Sequence, residues 1–373
     1  MYRLNYTSTL VLSISLFFFS SCIEDKKRNE DDSSNAQIRV KVLTNIGDNL
    51  VVPTVNNLKS ETEILYSKSK SFNESPDLEK LDALREQWEK TFKVFLQAAY
   101  FEMNPVKVIV GNDFTRVLGA FPVNTTSIEE RISNGVYSTN NFLFSTRGLN
   151  TVEYLIYGHN KTKEEIVESF VNSSNRKVYL DSITSNISRS ANRFKSLWDI
   201  YLPSFKNDPS RTQFSAIFEL FNRFIVEFER TKNERIQFPL GERAGQTQTL
   251  PDQVDARYSG KSLDFVEISL KFSHDIWRGK TTSTTDSTGL DDLLETVSVS
   301  GRDLAAETRV SWAQVFASFD EIDRSRTMEQ LVAANDSKLK AMSARLKDHT
   351  AYVKSRFTTV TGIVSDNKTG DGD

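Results

Sequence analysis

The sequence predicts an all-α protein, two helical-bundle subdomains with a cleft between them. Three observations carry this prediction. Long segments repeat apolar residues at helical spacing with Glu, Lys and Arg between them. Turn-forming residues are scarce, with 15 glycines and 8 prolines in 373 residues, which disfavours a protein of many short strands. The helical pattern breaks in mid-chain at Phe238–Gln246, where a proline and two glycines come together.

In chain order, residues 1–21 read as a lipoprotein signal peptide. Arg3 supplies a weak positive start, Leu10 to Phe19 an apolar stretch, and Ser20-Ser21 the small pair before Cys22. The apolar run is shorter than the roughly 20 residues a spanning helix needs. An ordinary signal peptide or a short membrane anchor is the alternative. Cys22 is the single cysteine, so it is the expected lipidation site, and neither a disulfide framework nor a cysteine metal site is available. Residues 22–36 are charged and read as a flexible tether. The expected location is the bacterial cell envelope, lipid-anchored on the periplasmic face or the cell surface.

Residues 37–238 form the expected N-terminal subdomain. Its first segment, about 37–70, carries Ile38, Val40, Val42, Ile46, Leu50 and Val55. These would also suit strands, and Pro53 would kink a helix there, but the helical segments that follow make a helix the expectation. Segment 77–101 spaces Leu81, Leu84, Trp88, Phe92 and Phe95 helically, 176–202 does so with Leu180, Ile183, Ile187, Phe194 and Trp198, and 211–236 with Phe214, Ile217, Phe221, Ile225 and Phe228. These aromatic stripes read as core. Ser127-Ile-Glu-Glu130 and Thr162-Lys-Glu-Glu165 read as capping boxes. Residues 239–373 form the expected C-terminal subdomain. Ser262 is the expected N-cap of its first helix, Thr281 to Gly289 a polar loop, and 327–357 one long helix.

The formal charge of -3 becomes -4 once the signal segment is removed. No basic stripe appears, so a nucleic-acid partner is excluded, and a monomer is expected.

The most informative stretch is Arg147 to Gly158, a short helix with a glycine at each end. Asn150 and Glu153 lie three residues apart and so share a face. Their neighbours Leu149, Val152, Leu155 and Ile156 are apolar, and a carboxylate buried among them needs a partner. Arg147, Ser262 and a backbone N–H are the candidates for that partner. Arg147 would equally serve to clamp an anionic ligand, and Gly148 lets a neighbour approach closely.

This stretch resembles the signature of the imelysin family, Gly-x-His-x-x-Glu within a string ending in Glu-Tyr-Leu and a glycine. Arg147, Gly148, Glu153, Tyr154, Leu155 and Gly158 match, whereas Asn150 stands in place of the histidine. Leu84-Arg85-x-x-Trp88, Pro239-Leu240-Gly241, Tyr258 to Leu263 and the terminal Asp-Gly-Asp resemble further motifs of the family, in the same order. The resemblance implies two helical subdomains with the Gly148–Gly158 helix facing the cleft. It places Arg147, Gly148, Asn150, Glu153, Trp88, Pro239, Gly241 and Ser262 at the functional cleft.

His and Glu at i and i+3 offer two metal ligands on one helix face. Asn150 weakens that chemistry, because a neutral amide binds zinc or iron poorly and moves no protons. Glu153 remains the metal candidate, with iron or zinc as the ion, and a third ligand is expected near Ser262 or Asp264. The three histidines are scattered: His159 reads as a solvated cap, His274 as core or cleft, and His349 as exposed. The tail Asp366–Asp373 has the spacing of a calcium loop but lacks the bidentate glutamate, so it reads as a polar tail.

The expected function is therefore a non-catalytic envelope binding lipoprotein associated with iron or haem acquisition, as the resemblance implies. Metallopeptidase activity is doubtful without the motif histidine. The alternatives are an imelysin-type peptidase and a scaffold that binds a protein or glycan partner.

Overall fold

The first segment, which would also suit strands, is helical as expected. The computed structural model describes residues 35–107, 114–138, 143–280, 287–295 and 301–363. Cys22, the signal segment, most of the tether and the Asp366–Asp373 tail lie outside the described residues. Helix α1 covers 35–46. A wide turn at Gly47–Val51, in which the Val52 N–H reaches the Gly47 carbonyl, leads directly into α2, Val52–Glu74. Pro53 is tolerated because it sits in the first turn of α2, where its absent N–H is not needed.

Helix α3, Leu78–Ala98, starts at Asp77, whose carboxylate accepts from the Lys80 N–H. Only three residues separate it from α2, so the two lie side by side. Helix α4 is Thr125–Ser133, α5 Leu149–Tyr157, α6 Lys163–Val171 and α7 Ser174–Lys206. The most extensive packing in the protein is of α2 on α3 and on α7. Trp88, Phe92, Phe95, Phe194 and Trp198 are all buried, as their spacing predicts. The Thr162–Glu165 capping box is present. The Ser127 box is not: α4 begins earlier, with Asn124 accepting from the Ser127 N–H. An asparagine three residues upstream caps as well as a serine does.

Helix α8 runs from Ala216 to Leu240, with a wide stretch at Arg230–Gln237. Gly241 ends it in the left-handed region, where a side chain would meet the Gln248 carbonyl. Helix α9, Ser262–Arg278, packs on α3 and α8. Its cap position is Lys261, with no side-chain cap bond, and Ser262 is spent elsewhere. Helices α10, Leu304–Asp320, and α12, Ser337–Thr350, pack together. Between them α11, Met328–Ala333, is a separate element. The single long helix expected over 327–357 is thus interrupted at 334–336, where Asn335 is left-handed and Asp336 starts a new helix by accepting from Lys338 and Leu339.

The buried apolar side chains join in one connected core. Among the described residues no strand occurs, and no helix is long and apolar enough to cross a membrane. His349, expected to be exposed, is fully buried on α12. Only its sequence neighbours are charged. Its own face meets Trp312, Phe228 and the Ser311 hydroxyl, 2.7 Å from Nδ1. Burial beside His274 pushes its pKa down to about 3.

Candidate functional site

Helix α5 is bounded by Gly148 and Gly158, both at positive φ. At Gly148 a side chain is excluded twice over: φ is 82°, and a Cβ would stand 2.6 Å from the Leu118 carbonyl oxygen. This close approach seats α5 against the short helix Phe114–Leu118. Trp88 Nε1 donates to the Leu149 carbonyl at 2.8 Å, and Arg85 Nε donates to the Ile156 carbonyl at 2.9 Å. Trp88 is therefore a brace behind the helix, and the motif arginine-tryptophan pair of α3 fixes both ends of α5. Tyr154 donates to Glu129, which is ion-paired with Arg176.

The facing wall is the loop 254–260. Two left-handed residues, Ala256 and Gly260, shape it. The alanine carries a steric cost that glycine does not. The Ser262 hydroxyl donates to the Asp255 carbonyl at 2.5 Å and clamps the loop to the start of α9. Pro239 and Gly241 lie at the base of the same connection, where the Leu250 N–H donates to the Pro239 carbonyl at 2.7 Å. Ser262, Pro239 and Gly241 thus position the loop.

Asn150 and Glu153 meet this loop. Asn150 Nδ2 donates to Asp255 Oδ1 at 2.7 Å, and Asp255 Oδ2 accepts from Arg235 Nε at 2.9 Å. All three side chains are buried. Asn150 Oδ1 is buried and has no hydrogen-bond partner. Glu153 is 1% exposed, and its Oε1 accepts from the Ser259 N–H at 2.8 Å. The partner of this carboxyl is therefore the backbone N–H, one of the three candidates. Burial dominates and pushes its pKa up to about 8. The Ser259 bonds oppose that rise, and the nearby Asp255 charge adds to it. Glu153 holds its proton at neutral pH.

A cavity of about 230 Å³ opens between α5 and the loop, lined by Asn150, Glu153, Phe121, Pro122, Gln253 and Tyr258 among others. Phe121 and Pro122 also wall a second cavity of about 350 Å³, which Arg116, Phe144, Arg230 and Glu234 line on its far side. Arg147 points away from Ser259: its guanidinium lies over the Phe144 ring, 4.6 Å from the centroid. Asp264, expected near a third ligand position, is on the surface with Arg324 and Lys261. His159 is exposed, 3.3 Å from Arg257. His274 is half-buried and packs edge-on against Trp312 and Phe316.

Sequence reasoning missed Asp255, Arg235 and Ser259. Asp255 sits in a polar connection that reads as plain loop, and Arg235 lies on a helix where charge normally means solvent. One signal was available for Arg235. It continues a run of polar residues at helical spacing, Glu219, Arg223, Glu227 and Thr231, and all five are buried. Glu227 accepts from Arg223 at 2.6 Å and from Arg230 at 2.7 Å, while Arg223 also pairs with Glu102 at 2.9 Å.

A helical fold with a glycine-bounded helix carrying an Asn-x-x-Glu face against a clamped loop defines an imelysin-like protein. The imelysin (peptidase M75) family model matches residues 51–353, and the chain belongs to that family. Two solved structures share its fold. One, described as an iron-regulated protein A precursor from Parabacteroides distasonis, has a TM-score of 0.68 at 14% identity over 86% of this chain and 95% of that one. The other, an imelysin-like protein from Psychrobacter arcticum, has a TM-score of 0.66 at 15% identity over 89% of this chain and 98% of that one. No curated protein matches the chain.

The family's motif histidine implies a metal ion, and the donor set here does not fit one. Asp255 is spent on Arg235 and Asn150, and Asn150 offers an amide where an imidazole nitrogen would ligate. Among the described residues no group of three or more His, Cys, Asp or Glu could share an ion.

Proposed function

We propose that this protein is a non-catalytic ligand-binding lipoprotein of the bacterial cell envelope, anchored through Cys22 and serving iron or haem acquisition. The carrying observation is the pairing at Asn150. Its amide is committed to Asp255, which Arg235 already neutralises, so this position supplies neither an imidazole to move protons nor a nitrogen ligand for a metal that would activate water. A buried acceptor, Asn150 Oδ1, remains for a ligand. The iron setting rests on the printed name of the Parabacteroides relative. The anchor rests on Ser20-Ser21 before a lone cysteine. The division at 238/239 belongs to this reading too: one subdomain supplies Asn150 and Glu153, the other Asp255 and Ser259.

Purified protein incubated with unfolded protein substrates is expected to leave them intact. Chelator-sensitive cleavage that Glu153→Gln abolishes would overturn the binding reading in favour of a peptidase. In cells, Cys22→Ser is expected to leave the membrane fraction, and the amount of wild-type protein to rise when iron is limiting. Unchanged fractionation contradicts the anchor, and unchanged abundance contradicts the iron setting.

A further inference from the structure

We infer that the cavity at Asn150 and Glu153 binds a neutral, hydroxyl-rich ligand of about one sugar ring, stacked on Phe121 and Tyr258. This rests on the reading that the site binds rather than turns over. Three independent features of the cavity carry it.

The first is charge. The cations near the cavity are answered by the protein itself, Arg235 by Asp255 at 2.9 Å and Arg257 by Glu329 at 3.3 Å, while Asp252 at the rim keeps its negative charge and bonds the Gln253 amide at 3.1 Å. An anion entering the cavity would lose its hydration, find its cations already paired and meet Asp252, whereas a neutral ligand loses far less. The second is the supply of hydrogen bonds. Asn150 Oδ1 is buried and unpartnered, an orphan that a ligand hydroxyl can satisfy by donating to it. Glu153 lines the same cavity, with Oε1 accepting from the Ser259 N–H. Gln253 and Thr125 add neutral polar groups at the mouth. A polyol both donates and accepts, and so answers this mixture of donors and acceptors.

The third is shape. Phe121, Pro122 and Tyr258 give the cavity flat apolar walls, against which the C–H face of a sugar ring packs. Tyr258 is held in place by edge contact with Tyr154, with the ring centroids 5.4 Å apart, and by the Arg257 guanidinium over its ring. The volume of about 230 Å³ lies below the range of about 300–1,000 Å³ usual for drug-sized ligands, which suits a single ring.

The test is saturation-transfer NMR with calorimetry on the full mature chain. The probes are glucose, galactose, mannose and N-acetylglucosamine, with glucuronate as the charged control. At least one neutral sugar is expected to bind saturably, with glucuronate about tenfold weaker than glucose if glucose is the ligand. Asn150→Ala is expected to weaken binding at least tenfold, with the fold checked by circular dichroism. Should that variant fail to fold, Gln253→Ala at the mouth is the second reporter, expected to weaken binding severalfold. No saturable binding by any neutral probe, binding unchanged in the variants, or tighter binding of glucuronate than of glucose would overturn the inference. Intact protein substrates in the same preparation would leave the binding reading standing. Chelator-sensitive cleavage would instead remove that reading itself.

Discussion

Two glutamates lie equally deep in this protein and end in opposite states. Glu227 on α8 is 2% exposed and Glu153 on α5 is 1% exposed. Burial raises the pKa of both. At Glu227 it is outweighed by Arg230, Arg223 and Arg235, which bring the carboxyl below its ordinary value. At Glu153 the nearest charge is Asp255, whose own arginine is turned toward it, and the pKa climbs to about 8. Depth therefore does not decide charge. The supply of cations does. The α8 network is a structural element in which Arg223 and Arg230 answer Glu102 and Glu227, while the α5 face keeps a neutral acid and an orphan amide oxygen at a cavity.

The contrast can be broken most strongly at Glu153. An exposed glutamate has a pKa of 4.5, against about 8 here. Between these values the folded chain keeps a proton that the unfolded chain has lost. The stability contributed by Glu153 is therefore fully present below pH 4.5, is lost as the pH rises to about 8, and changes no further above it. At about 1.4 kcal/mol per unit the loss is on the order of 5 kcal/mol. Glu153→Gln keeps the acceptor for Ser259 and removes the titration. Denaturant melts from pH 5 to 9 should show a much flatter profile for this variant than for wild type. Parallel profiles would mean that Glu153 ionises normally.

Next in size is the opposite experiment. Arg223→Met leaves Glu102 without its arginine partner and strips one from Glu227, and should destabilise by about 3–5 kcal/mol at pH 7 in urea melts. A loss under about 1 kcal/mol, the range of exposed pairs, would show that the network is solvated. The smallest effect is expected at the seat of α5. Gly148→Ala combines a left-handed backbone with a methyl group against the Leu118 carbonyl. It should cost about 1–3 kcal/mol, read as a lowered urea midpoint at unchanged slope. An unchanged midpoint would mean that α5 can shift without consequence.

The same contrast explains what the sequence discloses. Helix α5 was legible because all its information is local: a glycine at each end and two polar groups three apart on an apolar segment. The α2, α3 and α7 stripes were legible for the same reason, through their spacing. The partner of Asn150 was not legible, since Asp255 lies 105 residues away in a connection with no periodicity. Nor was the burial of His349, which depends on Trp312 and Phe228 arriving from other helices. The caps at Asn124 and Asp336 show a milder form of the problem. The right residue types were present, but a neighbouring serine or an unbroken apolar spacing offered an equally good local reading.

The most direct test of the central claim is the ionisation of Glu153 itself. Carbon-13 NMR of side-chain carboxyls, assigned by the resonance missing in Glu153→Gln, follows that one group through a pH titration. The account predicts a midpoint near 8, a glutamic acid neutral at physiological pH. A midpoint at or below 4.5 would mean that a cation reaches Glu153 after all, and the neutral binding site would be contradicted.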